Sequence, residues 1–147
     1  MNKQTVSTLL NELLATLAVF KQNAQGFHWN VKGKYFFELH EQFGNLYRQL
    51  DQLTDEVAER LLALGGKPIH TFSEFLKHSK VAPAHDVQKD KQAVELTVQG
   101  LKTIATLTTN FSTLFSESHD NATSDLMNRI TFEVEKQIWM WQSWLED

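Results

Sequence analysis

The sequence predicts an all-α protein in which four long helices form a bundle and a short extra helix lies in the crossover between the second and third. Four long segments carry apolar residues spaced by threes and fours, the period of a helix with one buried face. The 147 residues include only two prolines and six glycines, so few positions interrupt these segments. The length is that of a single domain, which we assign to residues 1–147.

The first two long helices are delimited by glycines and a proline. The first is predicted over about Val6–Val31, and Gly33 ends it. The second is predicted to begin near Tyr35 and to end at the glycine pair 65–66, which Pro68 follows. The core stripe of this second helix consists of Leu39, Phe43, Leu46, Leu50, Leu53, Val57, Leu61 and Leu64.

The remainder of the chain is predicted to hold the short helix, a loop and two further long helices. Thr71 and Glu74 form a capping-box pair ahead of "FSEFL", which predicts the short helix. Residues 77–86, with Pro83, are predicted as loop. The third long helix is predicted over about Val87–Phe115, and the fourth from the turn-rich run "SESHDNATS" to the C-terminus.

Composition narrows the class of protein. The net charge of -4, with charged residues spread along the chain, argues against the clustered basic face of a nucleic-acid-binding protein. The absence of cysteine removes disulfides and thiolate zinc sites, and it fits a reducing compartment. No run approaches the ~20 apolar residues of a membrane span, and the N-terminal segment does not read as a signal peptide. A soluble cytoplasmic protein is expected.

A second stripe on the second helix carries mainly small or polar residues beside the core stripe. It consists of His40, Gly44, Tyr47, Asp51, Asp55, Ala58 and Leu62. Glu59 follows Asp55 by one turn, which directs two carboxylates to one place. His28 continues the apolar stripe of the first helix near its end. Imidazoles and carboxylates together suit a borderline transition metal such as iron or zinc.

Distance decides how such a metal site would be completed. His40 and Asp55 are fifteen residues apart on one predicted helix, which corresponds to about 22 Å along a straight helix. Metal–ligand bonds are about 2.0–2.2 Å long, so one chain cannot close the site. A second, antiparallel chain related by a two-fold axis would bring its Asp55 opposite His40. Taken singly, these residues have simpler interpretations, such as a buried core histidine or a solvated pair of carboxylates.

The motifs that carry these residues resemble those of the Dps family, the dodecameric mini-ferritins of the ferritin-like superfamily. The matching stretches are "FHWNVKG", "FFELHEQF", "DEVAERLLALGGKP" and "IWMW". The resemblance implies a hollow shell of twelve subunits that oxidises Fe(II), typically with hydrogen peroxide, and stores the ferric mineral. It implies iron ligands His28 and His40 from one subunit and Asp55 and Glu59 from its partner. It also implies a nearby Trp29 that intercepts radicals.

One position departs from the pattern of the family. Four residues after the second histidine the family usually has an aspartate, whereas this chain has Gly44. In the antiparallel pairing that puts residue 40 opposite residue 55, residue 44 lies opposite residue 51. We therefore expect Asp51 of the partner to supply the missing carboxylate.

The resemblance carries two further expectations. Asp120 and Asp125 fit the acidic three-fold pore through which the family admits iron, although Arg129 would weaken its negative potential. DNA binding is expected to be weak or absent, because only Lys3 precedes the first helix.

Two other functions are compatible with parts of the sequence. A di-iron bundle with its site inside one chain is disfavoured because the sequence has no Glu-x-x-His motif. A helical cage or DNA shield that has lost efficient oxidation is kept open by Gly44.

Overall fold

The structure is a computed structural model that describes residues 1–146, within which all regular structure is helical apart from one isolated β-bridge. The five helices are α1 (Lys3–Asn30), α2 (Phe36–Ala63), α3 (Phe72–His78), α4 (Asp90–Glu117) and α5 (Asn121–Leu145). α1 packs along α2 and α4 packs along α5, so the bundle consists of two antiparallel helical hairpins. The predicted four-helix bundle, with its short helix between the second and third long helices, is confirmed.

Side-chain caps determine where α1 and α3 begin. α1 starts three residues before the predicted position because the side chain of Asn2 accepts a 2.8 Å hydrogen bond from the Thr5 N–H. α3 starts as predicted, directly after Thr71. The Thr71 hydroxyl accepts from the Glu74 N–H and donates to the Glu74 carboxylate, and this second hydrogen bond lowers the pKa of Glu74. α3 continues two residues into the predicted loop.

The starts of α4 and α5 follow from the loops that precede them. α4 begins three residues later than predicted because the backbone at Lys89 is extended and forms a parallel bridge with Lys32. α5 begins inside the predicted turn, directly after Asp120, whose carboxylate accepts a 3.0 Å hydrogen bond from the Thr123 N–H.

The crossover between α2 and α4 runs along the bundle and is held by polar side chains of α1. Asn11 donates to the carbonyl of residue 67 and accepts from the N–H of residue 69. Thr16 accepts from the N–H of residue 80, and Asn23 bonds in the same two-way manner to residues 82 and 84. These bonds satisfy backbone groups that otherwise have no partner in regular structure.

The core lies between the two hairpins and is built from large apolar side chains. Phe20, Phe43 and Phe115 are among the largest fully buried side chains. α1 approaches α4 closely at Gly100, where a Cβ atom would lie 2.4 Å from the ring of Phe20. Within residues 1–146 no helix combines the length and apolar character needed to cross a membrane.

Candidate metal centre

The two histidines of the predicted site lie side by side at one end of the α1–α2 hairpin. His28 is in the last turn of α1, and His40 follows the start of α2 by four residues. The short loop between the helices reverses the chain, so the two imidazole rings stack with centroids 3.8 Å apart and planes inclined by 12°. Both side chains are half-buried.

Reciprocal hydrogen bonds hold the two rings. The Nδ1 of His28 lies 2.5 Å from the carbonyl oxygen of His40, and the Nδ1 of His40 lies 2.7 Å from the carbonyl oxygen of His28. A carbonyl oxygen only accepts, so each Nδ1 must carry the proton. In the neutral rings each Nε2 then keeps its lone pair, which is the arrangement of a histidine that ligates a metal through Nε2.

Gly44 makes room for this arrangement on α2. A Cβ atom at this position would lie 3.1 Å from both Cε1 and Nδ1 of His28, so the imidazole rests almost directly on the helix backbone. Phe36 stacks on the outer side of His40 at 5.1 Å, and Tyr47 meets His28 edge-on at 5.4 Å. Two aromatic side chains, the two hydrogen bonds to backbone carbonyls and the absence of a side chain at Gly44 therefore fix the position of the two imidazole rings.

The carboxylates of the predicted site lie far along the same helix. Asp51, Asp55 and Glu59 are exposed on α2 and make no ion pair or side-chain hydrogen bond within residues 1–146. Because α2 is one continuous helix over Phe36–Ala63, the fifteen residues from His40 to Asp55 span about 22 Å. Within the described chain no three histidine, aspartate or glutamate side chains converge on a point that could hold a metal ion.

The structure thus brings together the two imidazoles and leaves the carboxylates apart from them. Trp29, next to His28, is 59% exposed and lies on the surface of the subunit. The sequence reasoning missed the contact between Gly44 and the His28 ring, and it missed the stacking of Phe36. The one available signal was a glycine placed one helical turn after a histidine.

The two aspartates of the predicted pore have different surroundings. Asp120 caps α5 and also accepts from the Thr123 hydroxyl and from Arg60, at 2.6 and 3.2 Å. Burial alone would raise the pKa of Asp120, but the hydrogen bonds from Thr123 and the charge of Arg60 outweigh it, so the pKa is lowered. Asp125 is exposed and makes no ion pair within residues 1–146.

Arg129, one turn after Asp125, is held between two carboxylates. It pairs with Glu56 of α2 and, at 3.2 Å, with Glu133 of α5. The hydrogen bond that Arg129 donates to the Glu56 carboxylate is the main cause of the raised pKa of Arg129. These two carboxylates compensate the positive charge of Arg129. Arg129 should therefore weaken the negative potential of the proposed pore less than the sequence alone suggests.

Known proteins share this fold and much of this sequence. Residues 7–147 match the family described as Ferritin-like domain. The chain is 37% identical over 145 residues to DNA protection during starvation protein 2 of Bacillus anthracis, covering 99% of both chains. It resembles the crystal structure of the Dps protein from Vibrio cholerae O1, with a TM-score of 0.96 and 37% identity over 98% of this chain and 91% of that one.

That Vibrio cholerae protein is described as a member of a broad superfamily of ferritin-like diiron-carboxylate proteins. Dps from Staphylococcus aureus is similar as well, with a TM-score of 0.95 and 35% identity over 99% of this chain and 98% of that one. The family match covers nearly the whole chain, and these relatives share its length and helix order. The chain therefore belongs to the Dps family of ferritin-like proteins.

Proposed function

We propose that the protein oxidises Fe(II) with hydrogen peroxide at centres shared between two subunits, and that it stores the ferric product inside a dodecameric shell. The observation that carries this proposal is the separation of the two ligand types along α2. At one end, the Nε2 atoms of two imidazoles are not used by the hydrogen bonds that hold the rings. At the other end stand carboxylates that make no ion pair within residues 1–146. Each end is half of a site that a second chain would complete.

The proposed pairing places two copies of α2 antiparallel across a two-fold axis. His28 and His40 of one subunit then face Asp55 and Glu59 of the other, and each dimer contains two equivalent centres. Residue 44 faces residue 51 in the same register. The carboxylate of Asp51 of the partner subunit would therefore stand over Gly44, where it can help to hold a second Fe(II).

Iron and peroxide are both substrates of the proposed reaction. Two Fe(II) ions each lose one electron, and these two electrons cleave the O–O bond of one hydrogen peroxide. With two protons the products are two Fe(III) ions and two water molecules. Because both electrons go to one peroxide molecule, no hydroxyl radical is released; Trp29 would intercept the radical that forms when only one electron is transferred.

Mixed subunits test whether the centre is shared. His40→Ala and Asp55→Asn should each disrupt every centre when expressed alone. In a heterodimer of the two variants, one centre keeps both His40 and Asp55 and the other loses both. Random mixing should therefore restore about a quarter of the centres, because half of the dimers are mixed and each holds one intact centre.

The readout is anaerobic binding of Co(II), a redox-inert probe, together with the absorbance of ferric product after Fe(II) and peroxide are added. The shared centre is supported if Co(II) binding and ferric product both reappear in the co-expressed shells while each variant expressed alone shows neither. If co-expression recovers nothing, or if either single variant binds Co(II) like the wild type, the site lies elsewhere. Native mass measurement on the same samples checks the dodecamer.

Gly44 favours one second candidate, a cage with a weakened metal site that serves as a scaffold. The same absorbance assay separates the two functions. No ferric product with either peroxide or oxygen, from an intact shell, would favour the scaffold over the oxidase.

DNA binding is proposed to be weak, although the Bacillus anthracis relative is named for DNA protection. The fold brings Lys32, Lys89 and Lys91 to one shallow depression, but Asp90 and Glu95 line it too. A net charge of -4 opposes attraction to phosphates. A gel shift at low salt that disappears near physiological salt would fit this proposal.

A further inference from the structure

The space above Gly44 is filled by two side chains of its own subunit. A Cβ atom at residue 44 would lie 3.1 Å from the His28 ring and 3.1 Å from Nη1 of Arg48. The guanidinium of Arg48 and the imidazole of His28 therefore both border the space that a side chain at position 44 would occupy. A fixed positive charge stands next to a ligand of the proposed centre.

Arg48 has no carboxylate partner within residues 1–146. The ion pairs there involve Arg60, Lys91 and Arg129 instead. The guanidinium carbon of Arg48 lies 5.0 Å from the centre of the Tyr47 ring, a cation–π contact that uses the face of the ring and none of the N–H donors of Arg48. The side chain is exposed and so available to another chain.

The two-fold pairing gives Arg48 a partner. In the register that places residue 40 opposite residue 55, Gly44 faces Asp51 of the partner subunit. That carboxylate makes no ion pair within residues 1–146 of its own subunit. In this register it would approach the place that the guanidinium of Arg48 occupies beside Gly44. A guanidinium and a carboxylate that meet in a subunit interface form a strong, geometrically specific pair.

We propose that Arg48 binds the carboxylate of Asp51 of the partner subunit and thereby competes with the second Fe(II) of the centre. This inference rests on the proposed function, because it assumes the shared centre. The first Fe(II) would bind tightly to the histidines, Asp55 and Glu59. The second would bind only at higher Fe(II) concentration, when it displaces the guanidinium from Asp51.

Anaerobic calorimetric titration of assembled shells with Co(II) tests the competition. The wild type should show one tight Co(II) per subunit and a second, weaker one. Arg48→Gln should tighten the second binding event about tenfold, the effect of removing a competing partner worth ~1.4 kcal/mol. The first event should change much less.

Lys34 supplies the matched control. Its Nζ lies over the Tyr35 ring, at 5.1 Å, it makes no ion pair within residues 1–146, and it is not among the atoms that meet Gly44. Lys34→Gln removes the same charge and should leave the second Co(II) affinity within about twofold.

A double-mutant cycle guards against indirect effects of the Arg48 change. Asp51→Asn should abolish the second event and spare the first, and adding Arg48→Gln to it should have no further effect. If Arg48→Gln binds the second Co(II) like the wild type, or tightens it equally when Asp51 is absent, the competition is wrong. If the wild type shows no tight first Co(II) binding event, the proposed function itself is wrong.

Discussion

The imidazole of His28 donates a hydrogen bond to the carbonyl of His40, and the imidazole of His40 donates one to the carbonyl of His28. The end of α1 and the start of α2 are thus joined by two side-chain-to-backbone bonds of opposite direction. Each ring is oriented by the backbone that carries the other, so the orientation of both rings is a property of the hairpin.

This relationship predicts the tautomer of both histidines. In the metal-free shell, His28 and His40 should carry the proton on Nδ1, because the acceptors are carbonyl oxygens. Solid-state NMR with 15N-labelled histidine distinguishes the two ring nitrogens. Adding Zn(II) should then shift the Nε2 signals and leave Nδ1 protonated.

The other histidines provide an internal comparison. His70, His78, His85 and His119 are exposed and make no ring hydrogen bond within residues 1–146, so they should appear as mixtures of tautomers. A proton on Nε2 of either His28 or His40 in the metal-free shell would contradict the hydrogen bonds described here.

Gly44→Ala should weaken metal binding without weakening the fold. The added Cβ, 3.1 Å from the His28 ring, must displace that ring by a few tenths of an ångström. Disturbing the orientation of a ligand typically weakens metal affinity about 10–100-fold, whereas alanine in place of glycine favours a helix by ~1 kcal/mol. Co(II) titration and thermal unfolding measure the two effects.

Asn45→Ala is the control for Gly44→Ala, because Asn45 is exposed and adjacent on the same helix. It should raise stability by a few tenths of a kcal/mol, roughly the difference in helix propensity, and leave Co(II) affinity unchanged. Equal Co(II) affinity in Gly44→Ala and the wild type would mean that the ring tolerates the methyl group.

Gly100→Ala should destabilise the subunit. Its Cβ would lie 2.4 Å from the fully buried Phe20 ring, so the ring or one of the two helices must shift. Overpacking of this kind lowers the free energy of unfolding by about 1–3 kcal/mol. Urea unfolding measures the loss, with the exposed Gln99→Ala as control; an unchanged midpoint for Gly100→Ala would show that α1 and α4 can separate freely.

Asp120 should make stability depend on pH in the acid range. Its folded pKa is lowered, so the carboxylate favours folding above its unfolded pKa of about 3.9, and this contribution is lost as the pH falls through the folded pKa. Asp120→Asn retains a capping side chain but not the charge, so its acid unfolding should depend less steeply on pH. Identical pH profiles for variant and wild type would contradict this role.

The charges near Asp125 should affect how fast iron is taken up. If they line the route by which Fe(II) is admitted, Asp125→Asn should slow uptake at low salt and Arg129→Gln should accelerate it, because the latter frees Glu56 and Glu133. Stopped-flow absorbance measures both rates. Both changes in uptake rate should become smaller at high salt. If neither substitution changes the uptake rate, this route is excluded.

The spacing of the apolar residues, together with capping residues and helix-ending glycines, was enough to predict the helices. Apolar residues at helical spacing predicted all four long helices, and the pair Thr71 and Glu74 predicted the short one. The differences lie at helix ends. α4 starts late because Lys89 bridges to Lys32, a contact between segments 57 residues apart that no local pattern reveals.

The candidate site was predictable in part. The distance between His40 and Asp55 required only the rise of a helix, and α2 is indeed unbroken between them. The stacked pair of His28 and His40, by contrast, depends on the turn between α1 and α2 and on the absence of a side chain at Gly44. From the sequence alone, a glycine inside a helix only indicates a loss of helix stability. The contact between Gly44 and the His28 ring, which explains the glycine, is visible only in three dimensions.

The position of both histidines in the first hairpin has a consequence for biosynthesis. α1 and α2 precede all other helices on the chain and pack on each other, so this hairpin can form on the ribosome while α4 and α5 are still being translated. The imidazole pair would then be oriented in the nascent polypeptide, before a subunit is released and meets its first neighbour.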